Sequence, residues 1–293
     1  MNHWGTNVSR KLITSCAAVV VAASALTGAT AAAAVASTGE TEVRVMSFNI
    51  HHGADSHDAL DLERIARDIE ASRADLIGLQ EVDNNWSSRS GFVNQAAWLA
   101  DRLDMHYAYA ANLDRDPLEG QTQRRQYGTA VLSEYPILSS ENHLLTNIVY
   151  AERPSEQRGL LETVINVRGN HVGFYSTHLD ARRSEQRQLQ VKEILALTED
   201  SERPAVVVGD LNAREASPEV RDLLTEFTDS FDLLGQDTDY SYPTTNPTAR
   251  IDYILTRGDI EPTFGEVVDT GSSDHLPVVA DLTIGQAPNG LIR

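Results

Sequence analysis

The stretch SSDHLPVVADLTI, Ser272 to Ile284, sets an acid, a histidine and a proline at the mouth of an alternating apolar run. Ser-Ser-Asp is turn chemistry, and Pro277 can open a strand because the first residue owes the ladder no donor. The stretch therefore reads as a loop feeding a strand. A turn alone does not need Asp274 and His275 side by side, so the question is whether other strands end the same way. They do: Asn49 lies in SFNIHHG, Glu81 ends DLIGLQEV, Tyr127 opens YGTAVLS, and His178 and Asp180 end FYSTHLD. Asp210 and Asn212 follow the apolar run VVVG, and Asp252 sits in RIDYIL. Each alone has a plain structural reading, as a charged strand end, an Asx turn or a satisfied core histidine. Together they place carboxylates beside buried runs, where an ionised group is costly unless it is paired or bound to a cation.

Short segments rich in β-branched and aromatic residues predict strands at Val43–Ile50, Leu76–Val82, Tyr107–Asn112, Gly128–Leu132, Leu160–Val167, Val172–His178, Ala205–Gly209, Ile251–Thr256 and Val278–Ile284. Helical spacing links Leu62, Ile65, Ala66 and Ile69, then Phe92, Ala96, Leu99 and Leu103, then Val191, Ile194 and Leu195. Ser217-Pro218 supplies an N-cap and a first-turn proline for a fourth helix bearing Val220, Leu223, Leu224 and Phe227. So many strands with so few helices exceed one doubly wound sheet. Two packed sheets with helices outside them fit better.

The chain of 293 residues is 41% hydrophobic, enough for a core. Its first segment is different in kind. Arg10 and Lys11 precede an Ala-rich apolar run from Leu12 to about Ala36, with small residues Ala29-Thr30-Ala31 where a peptidase could cut. Residues 1–36 read as a secretory signal, and the expected location is extracellular. An uncleaved anchor is the alternative, but alanine makes a weak one, so no stable span is expected in the mature form. One domain follows, 42–284, with a short tail, 285–293. The single cysteine, Cys16, would leave with the signal, excluding disulfides and thiolate chemistry from the mature protein. Losing Arg10 and Lys11 deepens a net charge that already stands at −19, and Lys192 is then the one lysine left. Such a surface repels polyanions. A dedicated nucleic-acid binder is disfavoured, whereas a small phosphate substrate is not, because a local cation reverses the field in a cleft.

Oxygen donors such as Glu81, Asp274 and Asn49 suit a hard divalent cation, Mg²⁺ or Mn²⁺, better than zinc. Histidines that can donate, a carboxylate to orient one of them, and an Asp-Asn pair to hold water are parts for phosphoester hydrolysis. In order, SFNI, LQE, YGTAVLS, STHLD, GDLN, RIDYIL and SDHLPV resemble the motifs of the endonuclease/exonuclease/phosphatase superfamily, the deoxyribonuclease I-like fold, from Arg44 to Leu282.

That resemblance implies an α/β fold, a four-layer α/β-sandwich, and metal-assisted hydrolysis. By position it implies Asn49, Glu81 and Asp274 as metal ligands and His275 paired with Asp252 as the catalytic couple. Asp210 and Asn212 would handle the water, His178 and Tyr127 would face phosphoryl oxygens, and Arg158 would contact phosphate. One departure stands out: His51 occupies a place where many nuclease members carry an acid. FNIHHG and QEVDNNW resemble most the branch of extracellular bacterial hydrolases and proteins of glycosylphosphatidylinositol processing.

Trp86 could stack on a substrate or merely cover the core, and Arg124 and Arg125 could steer an anion or simply lie solvated. The favoured reading is a secreted, monomeric phosphodiesterase or phosphatase for a small or lipid-linked phosphoester. An extracellular nuclease and a non-catalytic binding module are the alternatives.

Overall fold

The computed structural model describes residues 40–285 apart from 153, 200, 237 and 238; the expected leader and residues 286–293 of the tail lie outside the described residues. Among the described residues, twelve strands form two sheets of six. The first sheet contains β1 (Thr41–Asn49), β2 (Leu76–Asn84), β3 (His106–Arg115) and β4 (Arg125–Ser133), completed by β11 (Ile260–Val267) and β12 (Val278–Ile284). Its order is β11-β12-β1-β2-β4-β3. The second contains β5 (Ile137–Leu144), β6 (Gly159–Val167), β7 (Asn170–His178), β8 (Ala205–Asp210), β9 (Thr228–Asp229) and β10 (Asp252–Arg257), in the order β5-β6-β7-β8-β10-β9.

Each sheet holds one parallel pair among antiparallel neighbours. In the first it is β1 and β2, joined through helix α1 (Leu62–Ser72). In the second it is β7 and β8, joined through α3 (Ser184–Glu199). A parallel pair needs such a crossover. Helices α2 (Gln95–Leu103), α4 (Pro218–Leu223) and the short α5 (Ser230–Leu233) complete the set.

Alternation along the strands builds the layers. In β1, Val43 and Val45 face the second sheet while Met46 and Phe48 face α1 and α2. In β8, Val206 and Val208 enter the space between the sheets, and Ala205 and Val207 pack beneath α3 and α4 with Val191, Ile194 and Val220. The result is helix, sheet, sheet, helix, the four-layer sandwich expected. Gly78 marks a close approach of the sheets: a Cβ there would come within 2.2 Å of Val208 Cγ2.

Several local expectations need correction. Phe92 is not helical. It sits at φ 55° after the left-handed Gly91, and the helix starts later, where Asn94 Oδ1 accepts from the Ala97 N–H. Ser217 precedes α4 but makes no side-chain cap, and Leu224 and Phe227 lie past that helix's end. Strands β5, β9 and β11 escaped the pattern. β5 reads ILSSENHL at a sheet edge, with no fully buried residue, and β11 carries Pro262 beside a register shift at the other sheet's edge. Among the described residues, no helix is long and apolar enough to cross a membrane.

Candidate active site

The parallel pairs end at the same polar seam. Asn49 closes β1 and is fully buried, and its amide nitrogen donates to Glu81 Oε1 at 3.3 Å and to Asp210 Oδ2 at 3.1 Å. Glu81 reaches it through a bulge: β2 and β4 change register between Leu79 and Val82, and Glu81 sits at φ 59°. A bulge re-aims side chains, and left-handed backbone in a non-glycine residue is strain held in place by its surroundings. Its neighbour Gln80 is buried and donates to Ser176 Oγ in the second sheet at 3.2 Å.

Asp210 is the hub. Its Oδ2 faces Asn49 Nδ2 at 3.1 Å, His178 Nε2 at 3.4 Å and His275 Nε2 at 3.6 Å, while its Oδ1 accepts from the Asn212 N–H at 2.8 Å. Burial, reinforced by Asp252, holds its carboxyl up at about 7, against the pull of His275. Asp210 and Asp252 are direct partners in the β8–β10 register. Opposed like charges are unfavourable, and here both are buried, so something positive must lie between them. His275 supplies it. Burial disfavours its charge, but Asp252 and then Asp210 overcome this and raise it to about 10. Its Nδ1–H donates to Asp252 Oδ2 at 2.9 Å, and the Ser241 hydroxyl holds that same oxygen at 2.6 Å. The Tyr242 ring lies 4.6 Å from the imidazole, centre to centre.

His178 is the neutral member. Burial first, then Arg158 and His275, push it well below the ordinary histidine value. Arg158 Nη1 lies 3.1 Å from its Nδ1, and its Nε2 lies 3.4 Å from Asp210 Oδ2. Asn212, at φ 49°, brings its amide nitrogen 2.9 Å from that same Nε2 and donates to Leu179 O at 3.1 Å. Arg158 is itself buried and ion-paired to Glu156 at 2.7 Å. Tyr127 is buried in β4, which keeps its phenol protonated, in the field of Glu81. Trp86 lies 5.9 Å from the Tyr127 ring.

Ten of the eleven expected side chains thus run from the hub to its rim. Asp274 differs. It lies half-buried at the edge, with Oδ1 3.4 Å from Ser273 Oγ and 3.9 Å from His51 Nδ1. His51 follows at φ 43°, its Nε2 3.9 Å from Asp58 Oδ1. Arg124 turns away to Asp114 at 2.6 Å and Asp116 at 2.9 Å, in an exposed network. Sequence reasoning missed Ser273, Ser241 and Glu156. Ser273 is fully buried, donates to Asn49 O at 2.7 Å and accepts from the His275 N–H at 3.2 Å, pinning the 272–275 loop to the end of β1. Only its place ahead of Asp274-His275 could have flagged it.

The donor chemistry fits a hard divalent cation. Glu81 and Asp210 both turn an oxygen to the Asn49 amide nitrogen, so two carboxylates share one weakly positive atom, and Asp252 Oδ1 is buried without a hydrogen-bond partner. Carboxylate oxygens gathered in this way suit Mg²⁺ or Mn²⁺, while the Asn49 Oδ1 accepts from the His51 N–H at 3.1 Å. Asp210, Asp252 and His275 also bring ligand-type atoms within 4.8 Å of one another, as do His51, His52 and Asp58.

Two mixed six-stranded sheets meeting in such a seam define a class, the four-layer α/β-sandwich hydrolases. Residues 46–275 match the Endonuclease/Exonuclease/phosphatase family model, and the chain belongs to that family, whose members hydrolyse phosphoesters. An endonuclease/exonuclease/phosphatase from Beutenbergia cavernae is similar at 27% identity and TM-score 0.68, over 85% of this chain and 73% of that one. The human Nocturnin catalytic domain shares the fold at 21% identity and TM-score 0.63, over 82% of this chain and 93% of its own. So does a mannosyl-6-phosphatase of Bacteroides thetaiotaomicron, at 16% and TM-score 0.63, over 82% and 99%. Protein cwh43 of Schizosaccharomyces pombe is 28% identical over 194 residues, 66% of this chain; the match spans 18% of that relative's length.

Proposed function

We propose that the chain is a divalent-metal-dependent phosphoester hydrolase, exported through its leader, that directs water at a small or lipid-linked phosphoester. The observation that carries this is the hub: one buried carboxylate oxygen of Asp210 within 3.6 Å of Asn49, His178 and His275.

Glu81 and Asn49 would hold the ion, with Asp274 approaching from the 272–275 loop. When bound, the ion supplies Lewis acidity toward a phosphoryl oxygen. Asp210, held at about 7, is poised to take a proton from water near neutral pH. Asn212 positions that water. His275, charged and oriented by Asp252, offers its Nε2–H to developing negative charge, and neutral His178, held between Arg158 and Asn212, lines the site beside it. The Tyr127 phenol adds a donor on the Glu81 side. Arg158 holds the Nδ1 side of His178 and adds positive charge behind it.

The −19 charge favours a small or headgroup phosphate over a polyanion, and the FNIHHG and QEVDNNW resemblance favours a lipid-linked one. The test is chelator-treated protein given Mg²⁺ or Mn²⁺ and bis-p-nitrophenyl phosphate, then a panel of sugar phosphates, phosphoinositides, sphingomyelin and plasmid DNA. Turnover that chelator abolishes is expected, with DNA the poorest substrate. No turnover with any divalent ion would leave a binding module, and DNA cut fastest at moderate salt would make this a nuclease.

A further inference from the structure

The hairpin of β3 and β4 opens on a like-charged pair: Arg115 and Arg125 are direct cross-strand partners. Such a pair is unfavourable unless something neutralises it. Among the described residues, neither has a carboxylate within ion-pair reach, although acids outnumber bases in the chain by 43 to 24. Their neighbours are provided for: Arg124 is paired with Asp114 and Asp116, and Arg89 with the buried Asp83 at 2.6 Å.

Arg115 and Arg125 instead converge on Trp86. Their guanidinium carbons lie 5.0 and 5.2 Å from the indole centre, and Arg125 Nε donates to Trp86 O at 2.8 Å. An aromatic face eases a cation's desolvation without cancelling its charge. The cluster also borders the seam, since Trp86 lies 5.9 Å from Tyr127, which feels Glu81 and Arg158.

We propose that Arg115, Arg125 and Trp86 form an anion subsite for a second phosphate group of the substrate, with the indole covering the sugar or polyol frame between the two phosphates. In calling the ligand a substrate the inference rests on the hydrolase reading; the subsite itself does not. Arginine forks and an aromatic plate are what phosphate on a ring recognises.

The experiment is isothermal titration of glucose 1,6-bisphosphate into chelator-treated, dialysed protein, where the acidic seam repels anions and binding reports the arginines. Saturable binding is expected, weakened about tenfold or more in the Arg115→Gln/Arg125→Gln double variant. It should hold in the Arg67→Gln/Arg102→Gln double variant, which removes equal charge from α1 and α2. In anion-free buffer the double variant should melt at or above the wild-type temperature, because a repulsive pair has gone. Vesicles of phosphatidylcholine with and without phosphatidylinositol 4-phosphate form a second arm: preference for the phosphorylated vesicles assigns the phosphate to a lipid, and its absence to a soluble sugar.

Binding within about twofold of wild type in the double variant would overturn the proposal. So would a lower melting temperature in anion-free buffer, which would make the arginines props for Trp86. If nothing is hydrolysed under any condition, the hydrolase reading fails while the titration still decides the subsite.

Discussion

Replacing Gly78 by alanine probes the contact that holds the two halves of the seam in register. The added methyl would lie 2.2 Å from Val208 Cγ2, 3.2 Å from Ser176 Oγ and 3.4 Å from Ser176 Cβ. Carbon atoms pack comfortably at about 3.5–4.0 Å, so the first contact is too short by more than about 1 Å. Val208 is fully buried and cannot swing into solvent. Overpacking of this kind costs about 1–3 kcal/mol. Losing glycine from a strand restores about 0.5–1 kcal/mol through the unfolded chain. Gly78→Ala should therefore destabilise by about 1–2 kcal/mol, about 2–6 °C in Tm for a domain of this size. Val208→Ala alone should cost about 2 kcal/mol through lost burial and a cavity. The double variant makes room for the methyl, so its cost should fall short of the sum by about 1 kcal/mol or more.

Urea denaturation of the four proteins measures the cycle. Because Asn49 and Glu81 stand on one sheet and His178 and Asp210 on the other, kcat should fall in Gly78→Ala while the fold is intact and recover in the double variant. Additive costs, or wild-type stability in Gly78→Ala, would refute the close approach.

His275→Ala should lower kcat by about 10²–10⁴-fold while far-ultraviolet circular dichroism still reports the folded sheets. Ser273→Ala removes a donor to Asn49 O and an acceptor for the His275 N–H; about 1–3 kcal/mol of stability and a fall in kcat larger than any rise in KM are expected from denaturation and kinetics. Mg²⁺ or Mn²⁺ at about a hundredfold over Kd should stabilise the chelator-treated protein by about 2.7 kcal/mol. Glu81→Gln should abolish that gain, and unchanged melting of the wild-type protein with any divalent ion would remove the cation from the seam.

Central strands were legible because both faces are buried. β8 is a run of valines that can be little else, and the ends of β1, β7 and β8 announce Asn49, His178 and Asp210 by breaking apolar runs. Edge strands were not legible. β5 fully buries none of its residues and β9 is two residues long, so neither leaves a period to read. The site's members were visible as residue types, but their relations were not. That Asp210 and Asp252 are register partners, that Arg158 lies against Nδ1 of His178, and that Glu81 turns inward on a bulge all follow from strand pairing between distant segments. Asp274 shows the converse: the motif is intact, yet its carboxylate lies beside His51 at the rim, a placement set by the loop that Ser273 anchors.

The first sheet is closed by the last strand. β1 pairs with β12, and Arg44 reaches Asp281 across 237 positions of chain. A nascent polypeptide that has reached His275 but not β12 has neither the partner of β1 nor, in consequence, a settled perch for that imidazole. Contacts so remote in sequence are slow to form. Competence therefore waits on β12: a polypeptide extended only through the central strands already holds Asn49, Glu81, His178 and Asp210 without the strand that completes the sheet beneath them.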